Sequence, residues 1–468
     1  METAENTKKR GFYREVLYFG FPVALQNLLT SSLSFVDSMM ISGYSELALG
    51  AVGMAAQWFA LIGGCCWGIH GAGTMFFSQY WGARDRDGLR RTACVLFSGV
   101  LLVTLPAAVL GLLFPGLLMR IYTNDAQVIA IGQSYLRITA VSCVFTTLSL
   151  GCSGLLRSTG NAKLPLYASI VSLCVNTFLN WTLIYGRLGM PRLGADGAAI
   201  ATLVSAALNL AVLLAVSAFR RNILYDTLKK LVRPARDFVR EYYRKATPII
   251  LNEGLYAVAA LLVNMVFGRQ GGHNLSALSL FRTIEGLVSA FYIGFVNATS
   301  VIIGNAIGAG RIEDGVRASR KLTLLTVLTT ITVTAALYLA RVPLVGLFGV
   351  GEEVRQAAYG LLLVMMLLMP VRFCNWILIG VYRAGGETMM GFYFEIAGIW
   401  LLSVPLVALG GLVWKLSFPL VFALSYSEDV AKLGVQLWYM FSNRWIKPVT
   451  EAGREGLAGW KAAQKSGT

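Results

Sequence analysis

Apolar positions recur along this chain in long runs, each close to the roughly 20 residues that a helix needs to cross hydrocarbon, with short polar or charged segments between them. The runs predict twelve spanning helices, at about 14–42, 47–80, 92–114, 126–156, 164–186 and 197–219, then 246–268, 275–305, 321–341, 354–382, 389–410 and 416–442. None shows the period-two alternation of barrel strands. Lipid leaves only helices and closed barrels, because backbone groups there must find partners within the protein. An all-α membrane protein is therefore expected. Gly and Pro interrupt several runs, which membrane helices tolerate better than soluble ones.

The pattern repeats. Sliding the second half back by 226 positions aligns Pro22 with Pro248, Gly82-Ala83 with Gly308-Ala309, Gly154 with Gly380, Arg157 with Arg383 and Gly160 with Gly386. Apolar matches between membrane segments are cheap, but a proline, an arginine and loop glycines on one shift are not. Six spans per half give both halves the same orientation, hence parallel repeats about an axis normal to the membrane. The expected organisation is a six-helix lobe over 1–219, a basic linker over 220–245, a second six-helix lobe over 246–443 and a tail over 444–468. A cleft between the lobes could expose a substrate to either side in turn.

Composition agrees with this, since 56% of the 468 residues are apolar and only 14% charged. A net charge of +16 would suggest nucleic acid for a soluble chain. Here the cations follow the positive-inside rule instead. Lys8, Lys9 and Arg10 precede the first span, Arg84, Arg86, Arg90 and Arg91 separate the second and third, and Arg220, Arg221, Lys229, Lys230, Arg233, Arg236, Arg240, Arg244 and Lys245 crowd the central connection. Segments on the other side, such as 43–47 and 410–414, carry few or none. Both termini and the central connection are thus expected in the cytoplasm, with lipid rather than nucleic acid as partner. The first apolar stretch is too long for a cleavable signal peptide and reads as a retained span. Seven cysteines scattered through apolar segments, without C-x-x-C spacing, read as reduced and structural.

Charges inside spans cost up to about 3 kcal/mol each on insertion scales, so each is a candidate for function. Asp37 lies deep in the first span, in "SLSFVDSMMISG", and Gln26, eleven positions earlier, lies on nearly the same helical face. Pro22, one turn before Gln26, can open the helix and release a carbonyl. A carboxylate shielded from water can exchange a proton near neutral pH, which makes Asp37 the leading coupling residue; the alternative is a structural Asp bonded to neighbouring helices. Asn176 and Asn180, one turn apart on the fifth span, and Thr202 on the sixth could receive it, or could be ordinary interhelical glue. In the second half Glu253, Tyr256 and Asn264 share a face of the seventh span and Glu285 lies in the eighth. With Gln26, the residues Glu253, Tyr256 and Glu285 are the candidates for substrate binding, against roles in packing or gating. Arg372 and the Glu428, Asp429, Lys432 cluster could neutralise nearby acids, Glu428 and Lys432 having favourable i, i+4 spacing. Only two histidines, His70 and His273, are present, without H-E-x-x-H, and no Walker G-x-x-x-x-G-K-[S/T] stretch occurs, which argues against a metalloenzyme and against ATP-driven transport. No enzyme activity, cofactor or metal is expected.

Several stretches together resemble one known family: "FPVALQNLLTSSLSFVDSMMISG", "QYWGARDRDGLRR", "GLLRSTGNAKLP", "VNTFLNWTLIYG", "GADGAAIATLVS", "NATSVIIGNAIGAGR", "VYRAGGET", "EIAGIWLLSVPL" and "SNRWIK". In this order across both halves they resemble the multidrug and toxic compound extrusion (MATE) family, in particular its branch common in Gram-positive and gut bacteria. The resemblance implies a V-shaped twelve-helix exporter of the bacterial cytoplasmic membrane, alternating between inward-open and outward-open states and exchanging protons or sodium for small organic, often cationic, compounds. It implies that Asp37 matches the acidic position of the first helix, whose protonation is proposed to bend that helix and expel substrate, and that Asn180 and Thr202 match its polar partners. The chain departs from the pattern at Ile184, where some relatives have a second acid, and has Arg372 near the position of the tenth-span acid of sodium-coupled relatives. Protons are therefore favoured over sodium, with sodium around Asp37 left open.

One charge moving down about 150 mV releases roughly 3.4 kcal/mol, and a cation leaving against the same field gives much of that back, so steep cation export needs more than one ion or a chemical gradient as well. The rival function is a flippase of a lipid-linked precursor, which needs a strongly basic cavity; Asp37, Glu253 and Glu285 argue against it. A passive channel is a further alternative. A monomer is expected.

Overall fold

The computed structural model describes residues 12–346 and 348–466, and within them the secondary structure is helical, without strands. Lys8, Lys9 and Arg10 lie outside the described residues. The spans run Phe12–Ser42, Glu46–Gly82, Arg86–Leu113, Ala126–Ser158, Lys163–Tyr185 and Ala195–Phe219 in the first half. In the second half they run Arg236–Gly268, Gly272–Gly308, Ile312–Leu339, Glu352–Gly385 and Met389–Val413. These eleven are each long and apolar enough to cross a membrane. Along them large apolar side chains face outward, Leu102 and Leu339 being three-quarters exposed, as hydrocarbon contact demands.

The twelfth span departs from expectation. It is two helices, Phe418–Leu424 and Ser427–Phe441, interrupted at Ser425 and Tyr426. The eleventh also changes hydrogen-bond register, with π-helical turns at Ile399–Ser403 and Leu409–Val413. The seventh span begins at Arg236, about ten residues before the expected start, so the stretch 220–245 is largely helical. Within it Asn222 caps the short helix Ile223–Lys229 by accepting from Leu224 N and Tyr225 N. Asp226 of that helix holds Arg90 of the third span at 3.0 Å. The segment after the last span ends in a helix, Glu451–Ser466, seated by Thr450 Oγ1 donating to Gly308 O at 2.8 Å.

Local geometry carries the repeat. Gly160 and Gly386 both end a helix in the left-handed region, at φ +94° each. Behind them Asn161 N donates to Leu156 O and Glu387 N to Tyr382 O, each at 2.8 Å, the six-to-one bond of a Schellman cap.

The described residues fall into two compact units, one running up to Phe77 and then over Asp85–Ile250, the other comprising Ser78–Arg84 and everything from Leu251 on. In the first unit the sixth span packs on the fourth and fifth, and the first on the fifth. In the second the tenth span is central and packs on the eighth, ninth and twelfth. One crossing in the second unit admits only glycine: a Cβ on Gly308 would lie 2.0 Å from Gln79 O, and one on Gly82 would lie 2.1 Å from Asn305 O. Gln79 and Asn305 are themselves 226 positions apart, so the crossing is made of two repeat-related pairs.

Candidate functional site

The first unit gathers its polar residues around Asp37. The first span packs on the fifth, and Asn180 Nδ2 reaches across to donate to Asp37 Oδ1. The same Nδ2 donates to Asn176 Oδ1 at 2.9 Å, one turn back, and Asn176 Nδ2 donates to Ser205 Oγ on the sixth span at 3.3 Å. Ser205 Oγ donates onward to Thr202 O at 3.0 Å, and Ser172 Oγ donates to Ser205 O at 2.9 Å. Asp37 is half-buried, whereas Asn176 and Asn180 are wholly buried. A desolvated amide must find partners for both its ends. Asn180 uses both N–H groups, and among the described residues its Oδ1 has no hydrogen-bond partner. Three of the residues singled out in the sequence, Asp37, Asn176 and Asn180, thus form a relay between the first and fifth spans that Ser205 extends to the sixth. Thr202 joins it through its backbone carbonyl, while Ser172 and Ser205 were not foreseen.

Gln26 stands apart from this relay. Its Nε2 donates to Ser169 Oγ at 2.9 Å and its Oε1 accepts from Arg157 Nη1 at 3.3 Å, tying the first span to the fifth and fourth. The shared helical face with Asp37 does not become a shared site, because these two neighbours take both ends of the amide.

The second unit holds an ion-pair cluster. Arg372 of the tenth span donates through Nε to Asp429 Oδ2 at 2.9 Å, and its Nη1 lies 3.8 Å from Glu285 Oε1. Its guanidinium lies 3.7 Å from the centre of the Tyr426 ring. Lys432 Nζ lies 3.5 Å from Glu428 Oε2 and 3.4 Å from Asp429 Oδ1, and Asn375 Nδ2 donates to Asp429 Oδ1 at 3.0 Å. Ser403 Oγ donates to Ser425 O at 3.1 Å. The broken twelfth span and the π turn of the eleventh therefore meet where charged groups need partners, the setting in which irregular backbone survives at membrane depth. A cavity of about 110 Å³ opens here, lined among others by Tyr256, Asn264, Arg282, Glu285, Arg372 and Glu428. Tyr256 and Glu285 are brought together as substrate candidates; Glu253 is not among the lining residues and lies instead within electrostatic reach of Arg383 and Glu395.

Sequence reasoning missed a further contact: Asn252 Nδ2 donates to Glu395 Oε2, and Arg383 Nη2 lies 3.8 Å from the same oxygen. These residues stand 226 positions beyond Gln26, Ser169 and Arg157, so the shift that aligned Arg157 with Arg383 carried the signal.

The family model for MatE matches residues 22–182 and again 248–409. The chain belongs to the MATE family. Its two matches start 226 positions apart, on the shift that the internal repeat follows. Similar MATE relatives include a probable multidrug resistance protein, YoeA, of Bacillus subtilis, 23% identical over 93% of this chain and 92% of that protein. A probable multidrug resistance protein NorM of Bradyrhizobium diazoefficiens is 27% identical over 92% of this chain and 89% of that one. An outward-facing MATE family structure superposes with a TM-score of 0.82 at 18% identity, covering 93% of this chain and 96% of that one. MATE membership makes the chain a multi-pass membrane transporter, not an enzyme, with the family's twelve helices in two six-helix lobes. The interrupted twelfth span completes that count.

Proposed function

We propose that this MATE protein is a secondary active exporter of small organic, cationic amphiphilic compounds, working by alternating access and driven by inward movement of protons through Asp37. The observation that carries the reading is the Asp37–Asn180 hydrogen bond between the first and fifth spans, with the Asn180 oxygen left unpartnered. An ionised Asp37 can only accept, which suits the Asn180 N–H. A protonated Asp37 gains a donor, which the unpartnered oxygen can accept. Gaining a proton therefore changes how the first span is held to the fifth. Pro22 lies within that span and removes one of its helical hydrogen bonds, so the span has a place to bend.

Relatives named for multidrug resistance support organic compounds as substrates. In the second unit Glu285 and Glu428 face Arg282 and Arg372 around the cavity, a balance that does not suit a phosphate-bearing lipid precursor. On this proposal the protein works as a monomer in a bacterial cytoplasmic membrane, with both termini cytoplasmic. Sodium remains the rival ion.

The test is ethidium efflux from proteoliposomes under a proton or a sodium gradient imposed separately, with wild type and Asp37→Asn. Proton-driven efflux lost in the variant supports the assignment, and a response to sodium alone replaces the ion. Efflux untouched by the substitution sinks the role of Asp37.

A further inference from the structure

The fold builds one polar clasp twice. In the first unit Gln26 binds Ser169 and Arg157; in the second Asn252 binds Glu395, which Arg383 also approaches. Equivalent residues stand 226 positions apart, and only the second copy contains a carboxylate.

That carboxylate has a further counterpart. Asp37 and Asn180 are separated by 143 positions, and so are Asn252 and Glu395. The first pair joins the first span to the fifth; the second joins the seventh to the eleventh, their repeat equivalents. Acid and amide have exchanged places between the two. Asn180 is 0% exposed and Asn252 4%, and in both the amide nitrogen donates to the acid while Oδ1 lacks any partner among the described residues. A carboxylate cannot serve such an oxygen, but a carboxylic acid can. Each amide is left one donor short in a way that a proton on its acid would complete.

We propose that Glu395 is a second proton-coupling carboxylate, a positioning residue that holds the seventh span to the eleventh through Asn252 and changes that hold as it gains or loses a proton. Pro248, one turn before Asn252, gives the seventh span a bending point as Pro22 does the first. Around Glu395 stand Glu253 on the seventh span, Arg383 on the tenth, and Glu428 and Lys432 on the twelfth. The twelfth-span pair packs against Gly398, one turn beyond Glu395. A second proton also suits the energetics, because a cation leaving against the field cancels the charge carried by the first. The proposal rests on antiport through Asp37.

The steady-state ethidium gradient supported by each imposed pH difference in proteoliposomes reports the protons exchanged per cation. Glu395→Gln is expected to lose one of them and Glu395→Asp to keep both. The exchange variant, Asn252→Asp with Glu395→Asn, restores an acid–amide pair with the first unit's polarity and is expected to recover the lost proton. Wild-type coupling in a folded Glu395→Gln protein overturns the proposal. If that variant aggregates, the exchange variant decides: coupling as in wild type supports the proposal, and coupling one proton short overturns it. Asp37→Asn run in parallel separates the two readings, since wild-type coupling there defeats the Asp37 assignment whatever Glu395 does.

Discussion

At the scale of single residues, the cluster of the second unit sets Asp429 against cations, and the cost of separating them is measurable. Asp429 is 2% exposed and touches Arg372, Lys432 and Asn375. Removing Arg372 alone takes from the buried carboxylate its shortest ion-pair partner and leaves Lys432 as the one base against Asp429 and Glu428; breaking a buried pair typically costs about 3–5 kcal/mol, whereas removing one charge of each sign is often close to neutral. Arg372→Met should therefore lower the stability of the detergent-solubilised protein by about that amount, and Arg372→Met with Asp429→Leu should recover most of it, as read from thermal unfolding. Equal losses in both would mean that the cluster stabilises by packing rather than by charge. Asp37, Arg372 and Glu428 were legible in the sequence because a charge inside an apolar run is conspicuous by its cost. The partners were less so. Ser169 and Ser205 are small polar residues, common in membrane helices, and only the fold brings Gln26 to the first and Asn176 to the second.

At the scale of helices, hydropathy located the spans but could not see their hydrogen-bond register. The π turn at Ile399–Ser403, just before Pro405, and the break at Ser425 lie in apolar sequence, and a tertiary contact that the sequence does not display joins them: Ser403 and Arg372 both reach the Ser425 carbonyl. The early start of the seventh span was hidden for the opposite reason. Its first turns, from Arg236, are polar and fall below any apolar threshold while remaining helical. The glycines at 82 and 308 could be aligned by sequence, but their purpose, a close backbone crossing, needed coordinates. Gly308→Ala drives a Cβ into Gln79 O, backbone that cannot swing aside, and should destabilise by at least about 1–3 kcal/mol. Gly434→Ala, on the twelfth span with nothing within 4 Å, should be neutral or should stabilise by about 0.5–1 kcal/mol, because alanine is the better helix former. Unfolding midpoints of the two variants, measured together, check that the difference comes from the crossing and not from losing a glycine.

At the scale of the whole chain, six spans per half set the orientation of every connection once one is known. The central connection follows the sixth span and carries the densest group of cations, and it is short enough for the positive-inside rule to act on it. If it is cytoplasmic, the loop between the fifth and sixth spans must lie outside. Met190 in that loop is 51% exposed and Leu231 in the central connection 47%, so a cysteine at either would be open to reagents. The seven native cysteines must first be replaced, several of them buried in spans where a small apolar residue of similar volume is tolerated. In intact cells a membrane-impermeant maleimide should then label Met190→Cys, while Leu231→Cys should react only after permeabilisation. The reverse pattern would place both termini outside. It would not reverse transport, because an antiporter drives its substrate opposite to the movement of protons whichever way the chain is inserted. Labelling from the same side at both positions would mean that the sixth span does not cross, and the even count behind the repeat would fail with it.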